Sequence, residues 1–264
     1  MYVIYLIVIL AASTVGSVSG VGGGVMIKPI FDAISPYDTY AIGILSCLAA
    51  LAMAVTSVIR QAKAKANIQI KIAVSLAIGA VIGGMCGSYT VNYLGRFLND
   101  AVIKIIQASV LGVLLTAVTV YMNIHSAADR KPIIRGIPLT VVTGALLGAI
   151  ATFLGIGGGP VNIAALCLLF AMDIKSATVN SLVLIVFSQT SKLVQNMASG
   201  RLFSAALPWG LIAGICVVAV LGGLIGTKIN RAVNGRKILR IYTTTMIVII
   251  GISIYNIVTN CLKL

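Results

Sequence analysis

The stretch Gly155-Ile156-Gly157-Gly158-Gly159-Pro160 decides how this chain folds. It interrupts an apolar run from Ile137 to Met172 that is too long for one ordinary membrane span. A near copy, Gly20-Val21-Gly22-Gly23-Gly24, lies 135 residues earlier in an equally apolar setting. Glycine inside a helix costs about 1 kcal/mol per residue against alanine, so three in a row predict a break. Pro160 suits the first residue of a new helix, where its missing N–H does no harm. In lipid, irregular backbone survives only where it is buried in protein or lines a cavity. The doubled motif therefore predicts two broken segments meeting near the bilayer midplane. Close helix packing through small residues is the alternative.

The composition agrees. Of 264 residues, 59% are hydrophobic and 9% charged, and the mean hydropathy is +1.10. Several runs approach the ~20 residues that cross a bilayer, which predicts an all-α polytopic integral membrane protein. A net charge of +14 would suggest nucleic acid in a soluble protein. Here the basic residues fall in short loops between apolar runs, so they read as topology signals facing an anionic membrane surface, with no nucleic-acid partner. Met1 to Leu10 has no basic start and reads as a retained segment. Cys47, Cys86, Cys167, Cys216 and Cys261 show no CxxC spacing. The single histidine, His125, has no co-ligands beside it, and no metal or cofactor is implied.

The apolar runs predict spans at 2–18, 39–59, 72–94 and 101–124, then 137–154, 178–197, 207–229 and 241–258, with short pieces at 25–34 and 161–172. Gly79, Gly83 and Gly87 form a small-residue face, on which alanine should still fit. Gly222, Gly223 and Gly226 match Gly83, Gly84 and Gly87 at a spacing of 139. The polar stretch 125–136 reads as a cytoplasmic linker between a first membrane repeat, 1–124, and a second, 137–264. Such internal repeats are common in secondary transporters.

Charge decides between two topologies. If each glycine segment crosses fully, the 19 Lys and Arg divide almost evenly. If each returns to its starting side, the loops at 60–71, 122–138, 172–175 and 228–240 share a side with thirteen of them. The positive-inside rule selects the second arrangement. It inverts the two halves relative to each other, each with a re-entrant glycine segment and three transmembrane helices, and places both termini outside.

The glycine motif with proline soon after (Pro29 and Pro160), once per half, resembles the sulfite exporter TauE/SafE family of bacterial membrane permeases over essentially the whole chain. Ala177, Ser181 and Leu182 fit the family's Ala-x-Gly-Thr-Ser-Leu segment, while Val179 and Asn180 replace its glycine and threonine. The first half keeps Ala41 and Gly43 but has Ile44 and Leu45 where Thr-Ser would fall. The resemblance implies transport of sulfite, an organosulfonate or a related small organic anion across the cytoplasmic membrane of a bacterium.

The residues themselves point the same way. A glycine run opening a half-helix offers unshielded backbone N–H groups and about half a positive charge of helix dipole. Gly22, Gly23, Gly24, Gly157, Gly158 and Gly159 are therefore expected to hold the anion. Asn180, Ser181, Gln189 and Lys192 join them as polar residues in an apolar run. An intramembrane lysine marks a site by default, with snorkelling to the interface as the alternative. Ser17 and Thr152, related by the same 135-residue offset, either face the cavity or bond their own backbone. Asp32, Asp38, Asp100, Asp129 and Asp173 read as loop or end residues, so a carboxylate relay within the spans is not expected. A coupling proton or ion is left open, since the substrate's own protonation could carry it. A passive anion channel or a membrane scaffold subunit is the alternative function. A membrane enzyme is disfavoured, with one histidine and no buried acid to supply a base.

Overall fold

The computed structural model describes residues 2–124, 132–134, 136–199 and 208–262. His125 and most of the 125–136 linker lie outside the described residues, as do Arg201 and Lys263. The described chain is built of helices. In order they are α1 (Tyr2–Ser19), α2 (Gly24–Ile34), α3 (Thr39–Lys63), α4 (Ile70–Leu94), α5 (Asp100–Ile124), α6 (Ile137–Leu154), α7 (Gly159–Leu169), α8 (Ile174–Ala198), α9 (Trp209–Ala232) and α10 (Gly235–Cys261). Eight of these are long and apolar enough to cross a membrane; α2 and α7, of 11 residues each, are not. The protein is a multi-pass membrane protein.

Helices run past the apolar stretches that announced them. α3 continues through Arg60 to Lys63, and α10 starts six residues before Ile241. Charged residues end the apolar core of a span, not its hydrogen bonding, because helix propensity of Lys and Arg is high. α8 starts at Ile174, not Thr178, because the Asp173 carboxylate caps it, accepting from the N–H groups of Lys175 and Ser176. Asp38, 135 residues earlier, caps α3 through the Ala41 N–H in the same way.

Both glycine segments are hairpins. Beyond the first tip, the Gly22 N–H bonds the Gly16 carbonyl, and α2 returns along α1 until Phe31 packs on Tyr5 at 4.9 Å between ring centroids. At the second, α6 ends on left-handed Gly155, with the Ile156 N–H reaching back to the Ala151 carbonyl. After each hairpin come three long helices.

The small-residue faces join helices that are far apart in the chain. Gly79, Gly83 and Gly87 of α4 lie on the carbonyl oxygens of Val141, Ala145 and Ala149 of α6, while Gly144 and Gly148 lie on those of Leu76 and Ala80. Gly222 and Gly226 of α9 press on Leu10, Ser13 and Thr14 of α1 in the same fashion. Alanine does not fit at Gly83, contrary to the sequence expectation, because its methyl would overlap a carbonyl oxygen and not a movable side chain.

Hydrogen bonds identify the two ends of the bundle. Gln61 bonds Asn230, Lys175 reaches the carbonyls of Arg231 and Val233, and Asn180 holds the 67–69 turn. The loops at 60–71, 172–175 and 228–240 thus share one end, as the charge pattern predicts. At the other end the Thr39 N–H meets Asp100, and exposed Tyr93, Phe97 and Trp209 form an aromatic rim. Exposed Ile78, Ile82, Val113, Leu146, Val217 and Ile247 clothe the outer surface between the ends, as lipid contact requires.

Candidate functional site

The two hairpin tips touch. Gly20, Gly22, Gly155, Gly157 and Gly158 are the glycines with left-handed backbone among the described residues, at φ between +68° and +83°. Other residues adopt that conformation at a cost, so the tight reversals explain the glycines. Gly159 opens α7 against the Val21 carbonyl, where a side chain would collide. Pro160 is thereby the second residue of α7, one later than the sequence suggested. The Ser181 hydroxyl donates to the Gly20 carbonyl at 2.9 Å and lies 3.4 Å from that of Gly159, tying both tips to α8.

Most of the expected binding residues are engaged in this knot. Gly22 lies under Ile185, Gly23 against Ser13, and Gly24 against Ser46, whose hydroxyl donates to the Gly24 carbonyl. Gly158 packs on Ala151 and Asn162. Buried Asn180 gives its amide to the carbonyls of Asn67 and Ser176 and accepts from the Gln69 N–H, so its polar atoms serve the α3–α4 turn and its own helix. Gln189, also buried, sets its amide beside Gly157, 3.0 Å from where a Cβ there would lie.

Lys192 stands apart from these. With Lys28, Ser88, Asn92, Gln107 and Thr152 it lines a cavity of about 50 Å³ that also touches Gly155, Thr39 and Tyr40. Lys192 does not snorkel away: its Nζ lies 3.7 Å from a Cβ built on Gly43 and 3.9 Å from one on Gly155. The Lys28 stem crosses Gly155 so closely that a Cβ there would be 2.7 Å from Cε. One water needs roughly 10–15 Å³, so the cavity admits a small oxyanion or a few waters.

Asp32 lies in the last turn of α2, an end residue as the sequence reads it, but its carboxylate is buried and paired. It sits one turn after Lys28 in α2 and forms an ion pair with it at 2.8 Å, with side-chain exposures of 4% and 8%. Lys192 has no carboxylate within ion-pair distance among the described residues. The cavity therefore holds two ammonium groups against one carboxylate. Lys192 is half-buried and an unpartnered charge within a span is costly, so an anion is a natural complement. The glycine pattern does not point to Lys28. The signal was a Lys and Asp at i, i+4 within an apolar decamer, Val25–Ile34.

A sequence profile of the family described as sulfite exporter TauE/SafE matches residues 5–254. The chain belongs to that family. It is also 27% identical over 277 residues to the probable membrane transporter protein YunE of Bacillus subtilis, an alignment covering 94% of this chain and 95% of that protein. No solved structure matches the chain. Family membership makes this a membrane transporter. It also gives meaning to the Ala177, Ser181 and Leu182 positions, which are fully buried on α8 where Ser181 fastens the two tips.

Proposed function

We propose that this TauE/SafE-family protein is a secondary permease for a small oxyanion, sulfite or an organosulfonate, in the cytoplasmic membrane of a bacterium. The observation that carries it is the convergence of Lys28 from α2 and Lys192 from α8 on one small cavity beside the second glycine tip. Asn92, Ser88, Gln107 and Thr152 supply neutral hydrogen-bonding groups around them. The glycines that were expected to bind the anion through their N–H groups hold the tips close and bring Gly155 to the cavity wall. A direct backbone contribution from Gly157 to Gly159 remains part of the proposal.

The repeat supports a permease over a channel. The offsets of 135 and 139 residues carry Thr152, Lys192 and Ser88 onto Ser17, Ser57 and Thr227. Those three are fully buried, and the Ser17 hydroxyl meets Ser57 at 2.8 Å and Thr227 at 3.1 Å. Read as inverted repeats, 1–124 and 137–264, the halves present an accessible polar cavity toward one end and its sealed counterpart toward the other. Alternating access would exchange the two. By the positive-inside rule the accessible cavity faces outside.

Purified protein in proteoliposomes, assayed for flux of sulfite, taurine-like sulfonates, sulfate and chloride, tests the assignment. The expected result is sulfite or sulfonate flux that an imposed ion gradient drives uphill. Flux that only dissipates gradients would indicate the channel, and no anion flux at all would overturn the reading.

A further inference from the structure

Behind the anion cavity lies a second, smaller one of about 10 Å³, whose polar lining is Asp32, Gln107, Ser253, Asn256 and Lys28, with Leu111, Leu154 and other apolar side chains closing the rest. Its polar atoms are unusual in kind. Asp32 Oδ1, Gln107 Oε1 and Asn256 Oδ1 are all buried with no hydrogen-bond donor among the described residues. Buried polar groups are nearly always satisfied, so three orphans around one cavity call for an explanation.

The two amides cannot turn round to help one another. Gln107 Nε2 donates to the Phe153 carbonyl at 2.7 Å, and Asn256 Nδ2 donates to the Pro29 carbonyl at 2.8 Å. A carbonyl accepts only, so flipping either amide would set two acceptors against each other. The Ser253 proton is likewise spent on the Ile249 carbonyl at 2.9 Å. Apart from the Lys28 ammonium, the polar part of the wall offers acceptor oxygen: one carboxylate, two amide carbonyls and a hydroxyl lone pair. Gln107 is 5% exposed, Asn256 3% and Ser253 1%.

Three kinds of occupant suit acceptors. A water has two protons and leaves the third orphaned oxygen to a remaining proton of the Lys28 ammonium, which is then drawn away from the anion cavity. A proton on Asp32 makes a single donor and leaves another unpaired. A small dehydrated cation satisfies all of them together. Hard oxygen donors in a site of this size and charge fit a monovalent ion, since a single carboxylate already shared with Lys28 is a weak host for a divalent one.

We propose that this cavity is a Na⁺ site. Asp32, Gln107, Asn256 and Ser253 supply its oxygens, and Lys28 stands at its boundary. Lys28 and Gln107 line both cavities, so they form the wall between cation and anion. Na⁺ at Asp32 competes with the Lys28 ammonium for that carboxylate and leaves Lys28 free to serve the anion. The anion in turn offsets the charge the cation adds. That the ion is the coupling ion rests on the permease reading; the site itself does not.

The test is melting of the purified full-length protein in NaCl, KCl and choline chloride at equal ionic strength, without any anionic substrate. Na⁺ should raise the melting temperature by roughly 3–5 °C over choline, with K⁺ clearly weaker. Asp32→Asn should lose that response. Lys28→Met should show a larger response than wild type, because it strands Asp32 without its partner and removes the competing ammonium. Ser253→Ala, a mild change, should weaken apparent Na⁺ affinity about threefold and so keeps the test informative if the charged variants do not fold. Equal melting in all three salts would overturn the site, and so would a response that follows pH but not Na⁺. Na⁺ stabilisation without any effect of added sulfite would retain the site and count against the anion permease instead.

Discussion

Lys28 and Lys192 show how much depends on what surrounds a side chain. Each is ordinary in composition, and each becomes specific because α2 and α8 bring both to one cavity beside Gly155. Gly155→Ala should therefore do two things at once. A side chain at φ +71° costs about 1–2 kcal/mol of backbone strain, and its methyl would displace the Lys28 stem. The expected outcome is a lower melting temperature together with weaker sulfite binding by the fraction that stays folded. Asn180→Leu should differ. Its amide bonds lie in the α3–α4 turn and not in the cavity, so stability should fall while sulfite affinity of folded protein holds. Calorimetric titration of both variants separates the two effects.

At the scale of elements, the α4–α6 and α1–α9 pairs are locked by backbone contact. Gly83→Ala should destabilise by about 1–3 kcal/mol, since overpacking against a carbonyl cannot be relieved by a rotamer change. Gly112→Ala on α5, where a Cβ meets nothing within 4 Å, should be neutral or slightly stabilising. Thermal melts in one detergent give the comparison, and equal melting of the two variants would contradict the packing account. The existence of these helices was legible in the sequence, because hydropathy runs and small-residue spacing are local signals. Their ends were less so: Asp173 capping α8 and the basic tail of α3 lie beyond the apolar pattern that marks a span. The candidate cavity was legible at Lys192, Thr152 and Gly155, which line it. Lys28 lies on a short helix whose return along α1 places it beside Gly155, and no local pattern announces that meeting.

For the whole molecule, the arrangement of loops follows from charge, and membrane sidedness is its testable consequence. Single cysteines at positions 63 and 237, in a background free of native cysteines, should react with an impermeant thiol reagent only after the cell membrane is opened. A cysteine at 97 should react on intact cells. Labelling of 63 and 237 from opposite sides would sink the hairpin topology and the inverted repeats with it. The most direct test of the central claim is counterflow of labelled sulfite into proteoliposomes at sub-saturating concentration, expressed per folded molecule, for wild type, Lys192→Gln and Lys192→Arg. A charge-assisted hydrogen bond is worth about 1.5–3 kcal/mol, so Lys192→Gln should lose at least about tenfold of the wild-type rate and Lys192→Arg should recover part of it. Equal counterflow by wild type and Lys192→Gln would contradict the account and place the anion elsewhere in the fold.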